Sequence, residues 1–287
     1  VKPILGIGTK IRRDSTAMMI GAFWSIAVEF HIYLLFPLLV RTGKSDLQTI
    51  VAETGISARG AGDKFGLKRC STTEVDIWRD GESDAVMIAT RHDSHAALVT
   101  AGLDAGKAVF VEKPLCVTPE ELEQMTATVG RLDQAGRSPL LMVGFNRRFA
   151  PAVQAVRTRI WKAGTPVSIV YRINAGRIPA SSWIVDHREG GGRIIGEVCH
   201  FVDLSAYLAD APVTEVSALR SAGGEEDVVV TLRMRNGSIA TVAYLIDGSS
   251  RVPKERIEVF GGGECAVIDD FRQVAFNGRA ARLSGLF

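Results

Sequence analysis

The sequence has 287 residues, 34 Lys plus Arg against 32 Asp plus Glu, and 46% hydrophobic side chains. That length is ample for one large core or two modest ones, and a charged fraction of 23% without low-complexity tracts excludes a disordered chain. A net charge of +2, with the cations scattered, excludes recognition of nucleic acid by bulk charge.

The first 44 residues read as an atypical apolar segment. Within them, the stretch from Ala17 to Val40 holds only Glu29 and His31 as ionisable residues and is long enough to span a hydrocarbon core. A carboxylate near its centre opposes insertion by about 2.5–3.5 kcal/mol, which the apolar residues can offset. A buried core helix has the same pattern, so membrane contact through residues 17–40 and burial both stay open. No small-residue cleavage site follows the apolar run, so it is not a tidy secretory signal.

From Ser45 onward strands and helices alternate. Leu47 to Ala52 is predicted as a buried strand, and Gly55 to Phe65 as a helix with Gly66 as its stop. A short helix from Thr73 to Asp80 precedes a strand from Asp84 to Thr90. A helix from His95 to Ala105 stops at Gly106, and a strand follows from Ala108 to Glu112. Thr118-Pro119-Glu120-Glu121 is a capping box that opens a helix to about Ala135, and Leu140 to Phe145 is another strand. Strands separated by helices of this length mean βαβ units and a parallel sheet.

The second half differs. Helices are predicted from Pro151 to Ala163 and from Gly192 to Leu208. Seven strand-like runs, at 167–175, 213–219, 227–235, 238–245, 256–260, 266–270 and 273–277, have few helices between them. Asn236-Gly237 supplies a hairpin turn. The predicted fold is α/β: an incomplete Rossmann-like parallel sheet over residues 45–147, then an α+β domain with a largely antiparallel sheet over 148–287. The boundary is predicted near Arg147 to Pro151.

Two strings carry chemistry. Val111-Glu112-Lys113-Pro114 ends a predicted parallel strand, where open α/β sheets bind ligands. A Lys there can hold a substrate hydroxyl, although an ordinary strand end with a solvated Lys fits as well. The second string runs from Gly190 to Asp203. Its three glycines permit close backbone approach to a ligand or another chain. Glu197, His200 and Asp203 recur every three residues, which places them on one helical face. A His there suits general acid–base work near neutral pH. The E-x-x-H spacing has no second copy, so no metal site is expected. Cys70, Cys116, Cys199 and Cys265 lie far apart without a CxxC pair, which argues against zinc or a disulfide framework and for a reducing cytoplasm.

The ordered strings Ala89-Thr90-x(4)-His95, Glu112-Lys113-Pro114, Val143 to Pro151 (VGFNRRFAP) and GGGRIIGEVCHFVD resemble the Gfo/Idh/MocA family over about residues 46 to 280. The nearest likeness is to the Gfo/Idh/MocA half of bi-domain oxidoreductases. The resemblance implies NAD or NADP, hydride transfer at a sugar or cyclitol carbon, and an open sheet that serves in homo-oligomer contact. It implies Lys113 and His200 as catalytic residues serving one site. The family's acid position, four residues before His200, is Gly196 here, and Glu197, one residue later, is the catalytic candidate that could replace it. Glu53, Thr90, Arg91, His95, Glu112, Lys113 and Pro114 are implied on the cofactor side. Arg148, Trp183 and Asp203 are candidates on the substrate side, with packing or a surface ion pair as the other reading. Glu53 favours NAD through the ribose 2′-OH, whereas Arg59 can receive a 2′-phosphate.

The family's opening strand and G-x-G-x-x-G are not evident. Gly6-Ile7-Gly8 is the one candidate, with Ile11 where the third Gly belongs. Weak dinucleotide affinity is therefore expected. Phe23 to Leu39 resembles a stretch of the membrane acyltransferase-3 family. The leading expectation is an NAD(P)-dependent oxidoreductase. A non-catalytic binding or oligomerisation module on the same scaffold, and a membrane-anchored fragment, are the alternatives.

Overall fold

The computed structural model describes residues 14–20, 45–160, 165–222 and 227–282. The chain divides into two units between Gly144 and Phe145.

The first unit is built on six strands: β1 (Asp14–Ile20), β2 (Ser45–Val51), β3 (Arg69–Ser71), β4 (Ala85–Ala89), β5 (Ala108–Val111) and β6 (Leu141–Val143). They lie in the order β3-β2-β1-β4-β5-β6, and every pairing is parallel. Strand order reverses at β1, the switch point at which doubly wound sheets bind dinucleotides. The expected incompleteness is thus corrected: Asp14–Ile20 supplies the central strand, so part of residues 1–44 belongs to this sheet. Ala17 to Ile20 are strand, not helix. A central parallel strand is a continuous apolar run, and over a few residues it cannot be told from a helix by periodicity. It also follows Gly6-Ile7-Gly8 in sequence, so those glycines do not form the turn after it. Residues 21–40, and with them the stretch resembling an acyltransferase, lie outside the described residues. Among the described residues no helix is long and apolar enough to cross a membrane.

Helices α1 (Gly55–Phe65), α2 (Val75–Trp78), α3 (His95–Asp104) and α4 (Pro119–Gln134) accompany this sheet. Thr54 caps α1 by accepting the Ser57 N–H, and Gly66 ends it at φ 70°. Thr118 and Glu121 form the expected capping box on α4. Ile88, Val99, Leu103, Val111 and Leu132 are sealed into the core these elements share.

The second unit has eight strands: β7 (Ser168–Asn174), β8 (Val213–Arg220), β9 (Val228–Met234), β10 (Ile239–Leu245), β11 (Glu255–Gly261), β12 (Glu264–Asp269), β13 (Gln273–Phe276) and β14 (Arg279–Ala281). Their order is β14-β13-β12-β11-β7-β10-β9-β8. Only β7 and β10 pair in parallel. Helices α5 (Pro151–Ile160) and α6 (Cys199–Ala209) bury Val156, Phe201 and Leu204 against Tyr171, Val242 and Ile257. On the opposite face Val170, Val229, Ile239 and Phe260 stay exposed. The helix expected from Gly192 to Leu208 contains a π-turn over Ile194–Val198 before α6 begins.

Candidate functional site

The carboxyl ends of β2, β4 and β5 carry the candidate residues of the first unit. Glu53 is exposed just beyond β2, beside the α1 cap. Arg59, the candidate for a 2′-phosphate, pairs instead with Asp63 one helical turn on, at 3.0 Å. Thr90 and Arg91 follow β4. The Thr90 and Ser94 hydroxyls share a hydrogen bond of 2.6 Å, and the Ser94 Oγ donates to the Arg91 carbonyl at 2.8 Å. Half-buried Glu112 and Lys113 and buried Pro114 follow β5, and the Lys113–Pro114 bond is cis. The Glu112 N–H donates to the Ile88 carbonyl at 2.9 Å, which ties this loop to the end of β4. A Cβ at Gly144 would stand 3.0 Å from Glu112 Oε2, so the absence of a side chain there leaves that carboxylate its place.

His95 has 0% exposure. Its Nδ1 lies 2.7 Å from the Pro114 carbonyl oxygen and its Nε2 lies 3.1 Å from that of Thr90. Burial holds its imidazole below the usual range, against the opposing pull of the two carbonyls. The ring is engaged with the backbone of the two loops that bear Thr90 and Lys113.

His200 belongs to the second unit, in the first turn of α6. It is buried, with the Phe145 ring edge-on at 6.0 Å. Glu197 precedes it in the π-turn, which widens the helix, and the three side chains expected on one face take separate partners. Glu197 accepts from the Tyr244 hydroxyl at 2.9 Å and from Arg193 Nε at 3.4 Å. Arg193 is itself buried and donates from Nη1 to the Gly176 carbonyl at 2.7 Å. Asp203 accepts from Arg148 Nε at 2.6 Å and also from its Nη2. Burial raises the Asp203 carboxyl above its ordinary range, and the guanidinium only partly offsets this. Trp183 is half-buried in the turns before the glycine run. A Cβ at Gly190 would fall 2.5 Å from the Trp183 and Ile184 carbonyl oxygens, so that glycine serves a close approach of the chain to itself.

One cluster escaped the sequence reading. Arg147 donates to Glu255 from Nε at 3.0 Å and from Nη2 at 2.5 Å, and the Tyr171 hydroxyl donates to the same carboxylate. These residues lie up to 108 positions apart, and only the strand alternation that turns Glu255 inward hints at it. Among the described residues no group of three His, Cys, Asp or Glu side chains converges as a metal site would.

Residues 19–136 match the oxidoreductase family model with an NAD-binding Rossmann fold, Gfo/Idh/MocA, and residues 154–263 match the Gfo/Idh/MocA C-terminal domain. The chain belongs to the Gfo/Idh/MocA oxidoreductase family. Family members similar to it include the myo-inositol 2-dehydrogenase of Thermotoga maritima, 28% identical over 74% of this chain and 64% of the relative. The inositol 2-dehydrogenase of Rhizobium meliloti is 30% identical over 73% of this chain and 64% of the relative. The chain thus spans less than two thirds of the curated relatives it matches. Among solved structures, a levoglucosan dehydrogenase in complex with NADH shares the fold at a TM-score of 0.75, with 22% identity, covering 94% of this chain and 79% of that one.

Proposed function

We propose that this Gfo/Idh/MocA chain binds NAD(H) and oxidises a hydroxyl-bearing carbon of a sugar or cyclitol. The observation that carries the reading is the six-stranded parallel sheet with Glu53, Thr90 and Lys113 at the carboxyl ends of β2, β4 and β5. These positions suit a dinucleotide at both ends. An exposed carboxylate after β2 fits the ribose 2′-OH, and the β4 and β5 loops fit the nicotinamide side. The Glu53 carboxylate would repel a 2′-phosphate, and Arg59 already shares its charge with Asp63, so NAD(H) is favoured over NADP(H). Residues 21–44, which follow β1, fall outside the description. That segment opens Gly21-Ala22-Phe23-Trp24-Ser25 and lacks G-x-G-x-x-G, the anchor of a pyrophosphate, which is why weak affinity is retained.

Bound NAD+ supplies the acceptor for the hydride that leaves the substrate carbon. Lys113 holds the reacting hydroxyl oxygen through its ammonium. His200, a buried histidine of the second unit, is proposed to take the hydroxyl proton as the carbonyl forms. Glu112, Pro114 and Arg91 hold the loops around the cofactor. Arg148, Asp203 and Trp183 shape the substrate side of the second unit, and Glu197 supports the helix that bears His200. The open face of the second sheet, with its exposed Val170, Ile239 and Phe260, is proposed as the surface for self-association.

The test is NAD+-dependent oxidation of a panel of cyclitols and sugars that includes myo-inositol. Lys113→Ala and His200→Ala should each lose at least about a hundredfold in kcat while circular dichroism stays unchanged. A folded chain that binds NADH but oxidises none of the panel would favour the binding-module reading.

A further inference from the structure

The buried ring of His95 is the part of the first unit with most to explain. A neutral imidazole has one N–H and one lone pair, yet both nitrogens of this ring face carbonyl oxygens. The proton of the neutral ring belongs on Nδ1, where the contact is 2.7 Å. That leaves a lone pair on Nε2 directed at the Thr90 oxygen 3.1 Å away, two acceptors face to face. A second proton converts that repulsion into a hydrogen bond. Two acceptors at fixed positions therefore favour the doubly protonated ring, and complete burial opposes it.

The two carbonyls belong to the loops that bear the ligand-side candidates. Thr90 follows β4, and Pro114 follows Lys113 in the loop after β5. The Glu112 N–H to Ile88 carbonyl bond links these ends on the strand side, and the ring links them on the helix side. We infer that His95 is a positioning residue whose ring ties the loop of Thr90 to the loop of Lys113, and that the tie is fullest when both ring nitrogens carry protons. The charged neighbours are Lys113, which disfavours the positive ring, and Asp93, which favours it; the His92 ring stands 5.7 Å away.

The consequence for ligand binding rests on the proposed NAD(H) reading: NADH grip strengthens as the ring takes up its second proton. Two measurements separate the parts. The first is NMR on the wild-type chain, following the His95 ring nitrogens and the Thr90 and Pro114 carbonyl carbons through an acid titration. Carbonyl shifts that move in one step with the ring support the tie. Carbonyl shifts that stay constant until the chain unfolds overturn it. The second is NADH titration between about pH 8 and about pH 5 in the wild type and in His95→Gln. The wild-type dissociation constant should fall about threefold to tenfold toward acid, and the variant should be weaker and flat. The same profile in a folded His95→Gln overturns the inference. A wild type that binds no NADH at any pH defeats the functional reading instead, and the carbonyl titration still decides the tie.

Discussion

Replacing Glu255 by Gln should be the most damaging single-atom change in the second unit. The Glu255 side chain is 8% exposed and that of its partner Arg147 is 19% exposed. Arg147 also lies over the Phe201 ring at 5.2 Å, so it has no easy route to water. Burial alone would lower the Arg147 pKa, yet the Glu255 carboxylate raises it further above its ordinary value. Removing one partner of such a pair costs about 3–5 kcal/mol, because the other charge stays buried. Gln keeps one carbonyl oxygen, which in the place of Oε2 can still accept from Arg147 Nε and from Tyr171, but its NH2 then faces Arg147 Nη2, donor against donor. The expected loss is therefore at the lower end, about 3 kcal/mol. With a urea slope of about 2 kcal/mol/M, the unfolding midpoint of the second unit should fall by about 1.5 M. A fall below about 0.5 M would refute the reasoning, since that is the size of an exposed pair.

Asp203→Asn offers the contrast. Its partner Arg148 is 39% exposed, so water can take over the guanidinium, and the loss at neutral pH should be under about 1 kcal/mol by urea unfolding. The Asp80 carboxyl is held below its ordinary value: burial would raise it, but bonds from Ser83 and the Glu82 N–H and the charges of Arg69 and Lys107 outweigh that. Its contribution is thus present above about pH 3.8 and lost as pH falls through the folded value, so Asp80→Asn should flatten acid unfolding followed by circular dichroism. Thr118→Ala removes the α4 capping box and should cost about 1 kcal/mol in thermal or urea unfolding.

The helices of the first unit were legible because their signals are local. Gly66, Gly106 and the Thr118 box mark ends within a residue or two of those observed. Strand β1 was hidden because the apolar run continues past it into residues 21–40, and a lone Gly21 is too weak a signal to mark its end. Strands β3 and β14, of three residues each, are too short for any period to register. The strings around Lys113 and His200 could be read from the sequence, but the partners of the neighbouring charges could not. Nothing in the sequence sends Glu197 to Tyr244, 47 positions on, or both ring nitrogens of His95 to the backbone. Such partners are set by the register of the sheets and by a π-turn, both of which depend on the whole fold.

The central claim is that the carboxyl edge of the six-stranded sheet holds NAD(H), and direct titration of the chain with NADH, followed by nicotinamide fluorescence, tests it. The account predicts saturable binding with a dissociation constant of about 10⁻⁴ M, weaker binding of NADPH, and loss of at least about tenfold in Glu53→Ala. A folded chain that shows no saturable NADH signal up to about 10⁻² M, or one whose affinity is indifferent to Glu53, would contradict it.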